Sequence, residues 1–364
     1  MRKNKLLAGA VPLLALLLAC VSGAGAREAA PAAGRNLIFF DNDFAGPGES
    51  NIQALVPLLR DPGVELVGIG VVTGDAWLEE ASQHALRFLE IAGRSDIPVA
   101  KGAQMPLLRT QAEMRAWEAH YGPIPWKGAW TPPRPHRPDL HPDDPDRVPP
   151  LPEGAPHTPA AAEDAAHLLI RQVRAHPGQV TVLATGPLTN IALAVRLAPD
   201  LPRLAKGIVI QGGYFDQQRE RVTDNADYAT DFNFIFDPEA AHIVLTAPWP
   251  RLTLVGPVKP RMTEQLKAKI AASGTPVARY FSAYAKVGQP LWDELTAAIA
   301  VDPSLVKSEL VARMDVDVLP GPNYGGAMLW KADKAPNQGE QEVHIVDEVD
   351  TDRFLTTFAT QAAQ

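Results

Sequence analysis

Apolar runs that suit buried strands alternate with helical stretches along most of this chain, and this alternation limits its fold more than any other feature. "NLIFFD" (36–41), "VELVGIGVVTGD" (64–75), "IPVAKGA" (97–103), "VTVLA" (180–184), "GIVIQGG" (207–213) and "RLTLVG" (251–256) read as strands. Between them, Ile52, Leu55, Val56 and Leu59 recur at helical spacing, and "LEEASQHALRFLEIAG" is an amphipathic helix closed by Gly93. Residues 161–175 read as another helix. "TGPLTNIALAVRL" starts a further one, with Pro187 suited to its first turn. "FDPEAAHIVLTA" is a turn followed by a helix, in which Asp237 is expected to cap the N-terminus. The rhythm predicts an α/β fold with a mainly parallel central sheet flanked by helices. No repeat or internal linker divides it, so one domain is expected over 35–364.

Two segments fall outside that rhythm. At the N-terminus, Arg2, Lys3 and Lys5 precede the apolar run Leu6–Leu18, the layout of an export signal over 1–26. Ala24-Gly25-Ala26 is a small-residue cleavage site. Leu17-Leu18-Ala19-Cys20 instead resembles a bacterial lipobox, which would make Cys20, the single cysteine of the chain, a lipid anchor. The second reading is preferred, because Cys20 sits where the apolar run ends. Residues 27–34 are then a tether, and the protein is expected to be exported, either periplasmic or held at a membrane as a lipoprotein. The other segment is a proline-rich insertion over 121–159. Its part from Pro132 to Pro159 reads as a solvated excursion, while Trp126 and Trp130 near its start are costly to leave in water. His120, His136 and His141 lie in or beside it at spacings that fit no closed zinc set.

Of the 364 residues, 46% are hydrophobic, enough for a sizeable core, and the formal net charge of −8 argues against nucleic acid as a partner. Chemistry is expected at the carboxyl ends of the strands, where open α/β sheets bind ligands. Asp41, Asp43, Asp75, Thr185 and Gly212-Gly213 all fall there. Asp41 and Asp43 are placed on one face by strand alternation, and each raises the cost of ionising the other. A cation would relieve that cost, and a metal or polyol site is the bottom-up expectation.

The stretch "ATGPLTNIALA", then "GIVIQGG", then "DFNFIFDPEAA", in that order and spacing, resembles the inosine-uridine family of nucleoside hydrolases. The likeness runs from Asn36 to about Phe358. It implies a single α/β domain that hydrolyses the N-glycosidic bond of a ribonucleoside with one bound Ca2+, and a homodimer or homotetramer. It also implies roles by position. Asp43 matches the general base and a metal ligand; Asp41, Asn51, the Thr185 carbonyl and Asp293 match groups around the metal. Asn225, Asp231 and Asn233 match sugar-binding positions, Asp75 falls where an asparagine often lies near the ribose, and Gln211 replaces the methionine of an M-G-G strand end.

The chain departs from the family pattern at its opening motif. The usual D-x-D-P-G-x-D-D is here "DNDFAGPGESN", which puts Ser50 and Asn51 at the paired aspartates. Either Asn51 offers an uncharged amide oxygen, or Glu49 folds inward to supply a carboxylate. Trp292, beside Asp293, stands where some members have a histidine; as a stacking face it points to purines, with Trp126 or Trp130 closing from the other side. Trp292 as plain core is the competing expectation. Two other readings stay open: a non-catalytic nucleoside- or sugar-binding lipoprotein with a degenerate site, and a hydrolase of another ribosyl or glycosyl substrate.

Overall fold

In the computed structural model, which describes residues 34–135, 137–213, 231–256 and 260–364, the apolar runs become strands β1 (Asn36–Asn42), β2 (Val64–Val71), β3 (Val99–Lys101), β4 (Val180–Ala184), β5 (Gly207–Gln211) and β6 (Leu252–Val255). The C-terminal part adds β7 (Val306–Val316), β8 (Ala327–Trp330) and β9 (Gln341–Val349). All pair in one nine-stranded sheet, in the order β3-β2-β1-β4-β5-β6-β9-β7-β8. From β3 to β9 the pairing is parallel, and β7 runs antiparallel to both β9 and β8. Chain order runs outward from β1 to β3, then returns past β1 to β4. The topological switch therefore falls between β1 and β4, and open α/β sheets place their ligand crevice at the carboxyl ends of the strands beside such a switch.

The helices are α1 (Ser50–Gln53), α2 (Leu55–Arg60), α3 (Leu78–Ala92), α4 (Gln111–Tyr121), α5 (Ala165–Ala175), α6 (Thr189–Leu197) and α7 (Leu201–Leu204). They continue as α8 (Phe232–Phe236), α9 (Pro238–Leu245), α10 (Glu264–Ala271), α11 (Pro276–Tyr284), α12 (Trp292–Val301) and α13 (Thr351–Ala362). Strand alternation assigns them to faces. Ile38 and Phe40 of β1 pack with residues of α2, α3, α11, α12 and α13, whereas Leu37 and Phe39 pack with α5, α6 and α9. Asp237 does cap α9, accepting from Ala240 N at 3.1 Å.

Two expectations change. The first strand runs one residue past Asp41 and takes Asn42 into the sheet. The helix expected after it breaks at Ala54 into α1 and α2; Pro57, in the first turn of α2, has no N–H to carry the ladder back across the break. The stretch from Pro132 to Pro159 is mostly exposed among its described residues, as expected, but it is pinned to the domain at a few points. Leu140, His141 and Glu153 are buried, and one face of α3 straps the segment down. His84 Nδ1 meets Glu153 Oε1 at 2.5 Å, Arg87 Nε donates to the Glu153 carbonyl at 2.8 Å, and Glu90 accepts from His157 N and Thr158 N. Its tryptophan-rich start packs with α4 and α8 in a separate small core of Trp77, Met114, Trp117, Ile124, Trp130 and Phe236.

Candidate active site

Five segments deliver polar side chains to the crevice. Asp43 lies just past the end of β1 and Thr185 just past β4. Asp75 sits in the turn between β2 and α3, Asn51 is in α1, and Asp293 is in the first turn of α12. The approach of these segments depends on glycine. A Cβ at Gly74 would stand 2.2 Å from Asp43 Oδ2, and one at Gly186 2.9 Å from Asp43 N. Only a residue without a side chain lets both turns close on that aspartate.

The centre of the arrangement is the Asn51 amide. Its Nδ2 donates to Asp43 Oδ1 at 2.9 Å and lies 3.3 Å from Asp293 Oδ2 and 3.4 Å from Asp75 Oδ2. Asp43 Oδ2 accepts from Asp75 N at 2.7 Å. Asp293 Oδ2 also accepts from Asn42 Nδ2 at 2.9 Å, and the same Asn42 nitrogen meets Thr185 Oγ1. The Trp126 indole N–H donates to Asp75 Oδ1.

Burial and mutual repulsion raise all three acids. Asp43 is pushed well above the carboxylate range by burial, then by the charges of Asp75 and Asp293. Burial lifts Asp75 to about 6, against the Trp126 hydrogen bond, and lifts Asp293 to about 8. Three such groups cannot all stay ionised near neutral pH without a compensating cation.

Among the described residues, no three His, Cys, Asp or Glu side chains already stand in a metal-binding arrangement; the carboxylates close on the Asn51 amide instead. The donors nevertheless suit a hard cation in kind. They are carboxylates, amide oxygens and the Thr185 carbonyl, and Asn42 Oδ1 and Asp41 Oδ1 are buried with no hydrogen-bond partner among the described residues.

The other expected site residues divide. Asn233 is buried, and its Nδ2 meets Gln211 Oε1 at 2.7 Å, the Thr185 carbonyl at 3.2 Å and the Gln211 carbonyl at 3.3 Å, which joins α8 to the ends of β4 and β5. Asp231 caps α8, accepting from Phe234 N at 3.3 Å, and so fixes the helix that carries Asn233. Trp292 is 40% exposed at the start of α12, which excludes the plain-core expectation.

Glu49 does not fold inward. It is engaged by Lys286, by Gln289 Nε2 at 2.8 Å and by Arg137 at 3.8 Å, because those cationic and amide groups hold it more favourably than three like charges would. Asp41 does not share a face with Asp43, since Asp43 has left the strand. Asp41 binds Asn190 Nδ2 at 2.8 Å and ties β1 to α6; burial lifts it to about 7, against that hydrogen bond. Trp130 is packed on Phe236 with ring centroids 4.4 Å apart, and it is too buried to close over a ligand. His141 turns its ring nitrogens to the carbonyls of Asp139 and Arg147. Asn225, His136 and Cys20 lie outside the described residues.

Two contributors escape a reading of the sequence alone. Asn42 is the unremarkable middle residue of "DND"; extending the strand by one position would have placed it inside. Glu294 is fully buried and accepts from Ser50 Oγ at 2.5 Å, while Ser50 Oγ accepts from Asp293 N at 3.0 Å. Its place beside Asp293 was the available signal.

Comparison with known proteins identifies the family. The family model described as inosine-uridine preferring nucleoside hydrolase matches residues 38–356. An uncharacterized protein of Schizosaccharomyces pombe, C800.11, is 31% identical over 352 residues, spanning 91% of this chain and 83% of its own length. A probable uridine nucleosidase 2 of Arabidopsis thaliana is 32% identical over 295 residues, 77% of this chain and 82% of its own. Among solved structures, a purine-preferring ribonucleoside hydrolase from Gardnerella vaginalis has the same fold, with a TM-score of 0.68 and 23% identity over 90% of this chain and 98% of that one. The chain belongs to the inosine-uridine preferring nucleoside hydrolase family and is an enzyme of the nucleoside hydrolase class.

Proposed function

We propose that this protein cleaves the N-glycosidic bond of a ribonucleoside with water, releasing free base and ribose, with Asp43 as the general base. The observation that carries this reading is the placing of Asp43 at the floor of the switch-point crevice. It is buried, fixed by Asn51 and Asp75 N, and surrounded by acids that raise its proton affinity. Asp43 takes a proton as the water oxygen bonds to C1′. The C1′–N bond breaks, and the base leaves with its electron pair and takes up a proton.

Asn233 and Gln211 present amides to the sugar. Asp231 holds α8 in place, Asn225 is assigned to the sugar from sequence position, and Trp292 offers the base a stacking face that favours purines. Asp43, Asp293, the Thr185 carbonyl and an Asn51 amide turned to present its oxygen would hold a calcium ion, with Asp41 behind them. Calcium, when bound, would acidify the attacking water and engage the ribose hydroxyls. The N-terminal segment would direct the chain out of the cytoplasm, with Cys20 as the anchor.

Release of base and ribose from a panel of purine and pyrimidine nucleosides, with calcium or with a chelator, tests the assignment. Calcium-dependent release is expected from wild type and not from Asp43→Ala. Full turnover by that variant would overturn the mechanism. Nucleoside binding with no release would favour a binding protein.

A further inference from the structure

Asp75 stands where the family likeness implies a sugar-binding amide, and Asn51 stands where it implies a metal carboxylate. The fold brings these two departures within 3.4 Å of each other. We infer that Asp75 is a cation-holding carboxylate rather than a sugar contact, supplying the negative charge that position 51 lacks. The inference rests on the reading above that the crevice takes calcium.

Its support is geometric. One point, now filled by Asn51 Nδ2, has oxygens of Asp43, Asp75 and Asp293 around it at 2.9, 3.4 and 3.3 Å, each from a different segment of the chain. Asp75 is not free to swing toward a sugar. Its Oδ1 is held by the Trp126 indole and its backbone N–H by Asp43, which leaves Oδ2 directed at that point. A second observation indicates a missing ligand. Asn42 is fully buried, its nitrogen touches Asp293, and its Oδ1 has no hydrogen-bond donor among the described residues. A buried acceptor without a partner is costly, and a cation at the cluster's edge would satisfy it. Amide orientation is itself reversible by rotation, so Asn51 and Asn42 can present nitrogen to bare carboxylates and oxygen to a cation.

The test is calcium titration calorimetry on the metal-free protein, with thermal melts alongside, for wild type, Asp75→Asn and the exchanged pair Asn51→Asp/Asp75→Asn. Wild type is expected to bind calcium. Asp75→Asn should weaken binding by at least about tenfold, and the exchanged pair should recover most of the loss, because the two sites share one ligand point and do not act additively. If Asp75→Asn does not fold, Asp75→Ser removes the same charge with a smaller group, and the calcium-induced rise in melting temperature reads out the same quantity. Calcium affinity unchanged in Asp75→Asn, with a raised KM for nucleoside at saturating calcium, would overturn the inference while leaving the hydrolase reading intact. No calcium binding by wild type would overturn both the calcium assignment and this one.

Discussion

Replacing Gly74 with alanine tests whether catalysis depends on the exact seat of Asp43. The new Cβ would stand 2.2 Å from Asp43 Oδ2, 2.6 Å from Pro187 Cδ and 2.7 Å from Asp43 Cβ. A Cβ contact needs at least 3.0 Å, so the carboxylate must retreat by about 0.8 Å or the turn must open by the same amount. Pro187 blocks the turn on the other side, and Asp43 is the group that gives. The hydrogen bond from Asp75 N to Asp43 Oδ2, 2.7 Å long, is then stretched or lost. A base displaced by about 1 Å costs on the order of a hundredfold in rate, and overpacking of this kind costs about 1–3 kcal/mol of stability. Initial-rate kinetics over a range of nucleoside concentrations at saturating calcium should show kcat/KM reduced about a hundredfold, with a folded protein melting a few degrees lower. A folded Gly74→Ala enzyme with kcat/KM within about threefold of wild type would refute the reasoning.

Two further outcomes follow from other parts of the structure. Removing the exposed Trp292 ring with Trp292→Ala should raise KM for purine nucleosides about fivefold or more, since stacking on one base is worth about 1–3 kcal/mol; equal KM values for purines in both proteins would deny it a place against the base. His84 lies between Glu153 and Glu80. Burial lowers its proton affinity, but the hydrogen bonds to those two glutamates outweigh burial and carry it above its ordinary 6.5. A raised folded-state value means that the stabilisation is complete below about 6.5 and is lost as pH climbs through the folded value. Urea denaturation should therefore show His84→Ala destabilised by roughly 3 kcal/mol at pH 6, as for a buried pair deprived of one partner, and by clearly less at pH 9. A deficit that does not change with pH would mean that the imidazole acts by packing alone.

The alternation of apolar runs and helices was legible because strands buried on both faces leave no polar residue to confuse the period. The C-terminal antiparallel part was not, since β7 reads "VKSELVARMDV" with exposed and buried residues mixed along a strand that β8 covers only over its last four residues. α4 announces itself by Thr110 and Glu113, a capping box that closes with reciprocal hydrogen bonds, yet its own apolar face is narrow. At the site, Asp43, Asn51 and Asp293 were found from motif order, while the direction of each side chain was not. Glu49 and Asn51 are two residues apart, and only packing decides which one faces the acids: Lys286 and Gln289 draw Glu49 outward, and the start of α1 turns Asn51 in. The proline-rich insertion reads as irregular and solvated, and most of it is exposed, but its anchoring could not be read because the partners on α3 are far away in sequence.

The most direct measurement is a single turnover of nucleoside in heavy-oxygen water, with the released ribose and base weighed by mass spectrometry, for wild type and Asp43→Asn. Attack of water at C1′ places one heavy oxygen in the ribose and none in the base, and Asp43→Asn should release neither product at a comparable rate. Label in the base, ribose without label, or undiminished release by Asp43→Asn would contradict hydrolysis driven by Asp43 at this crevice.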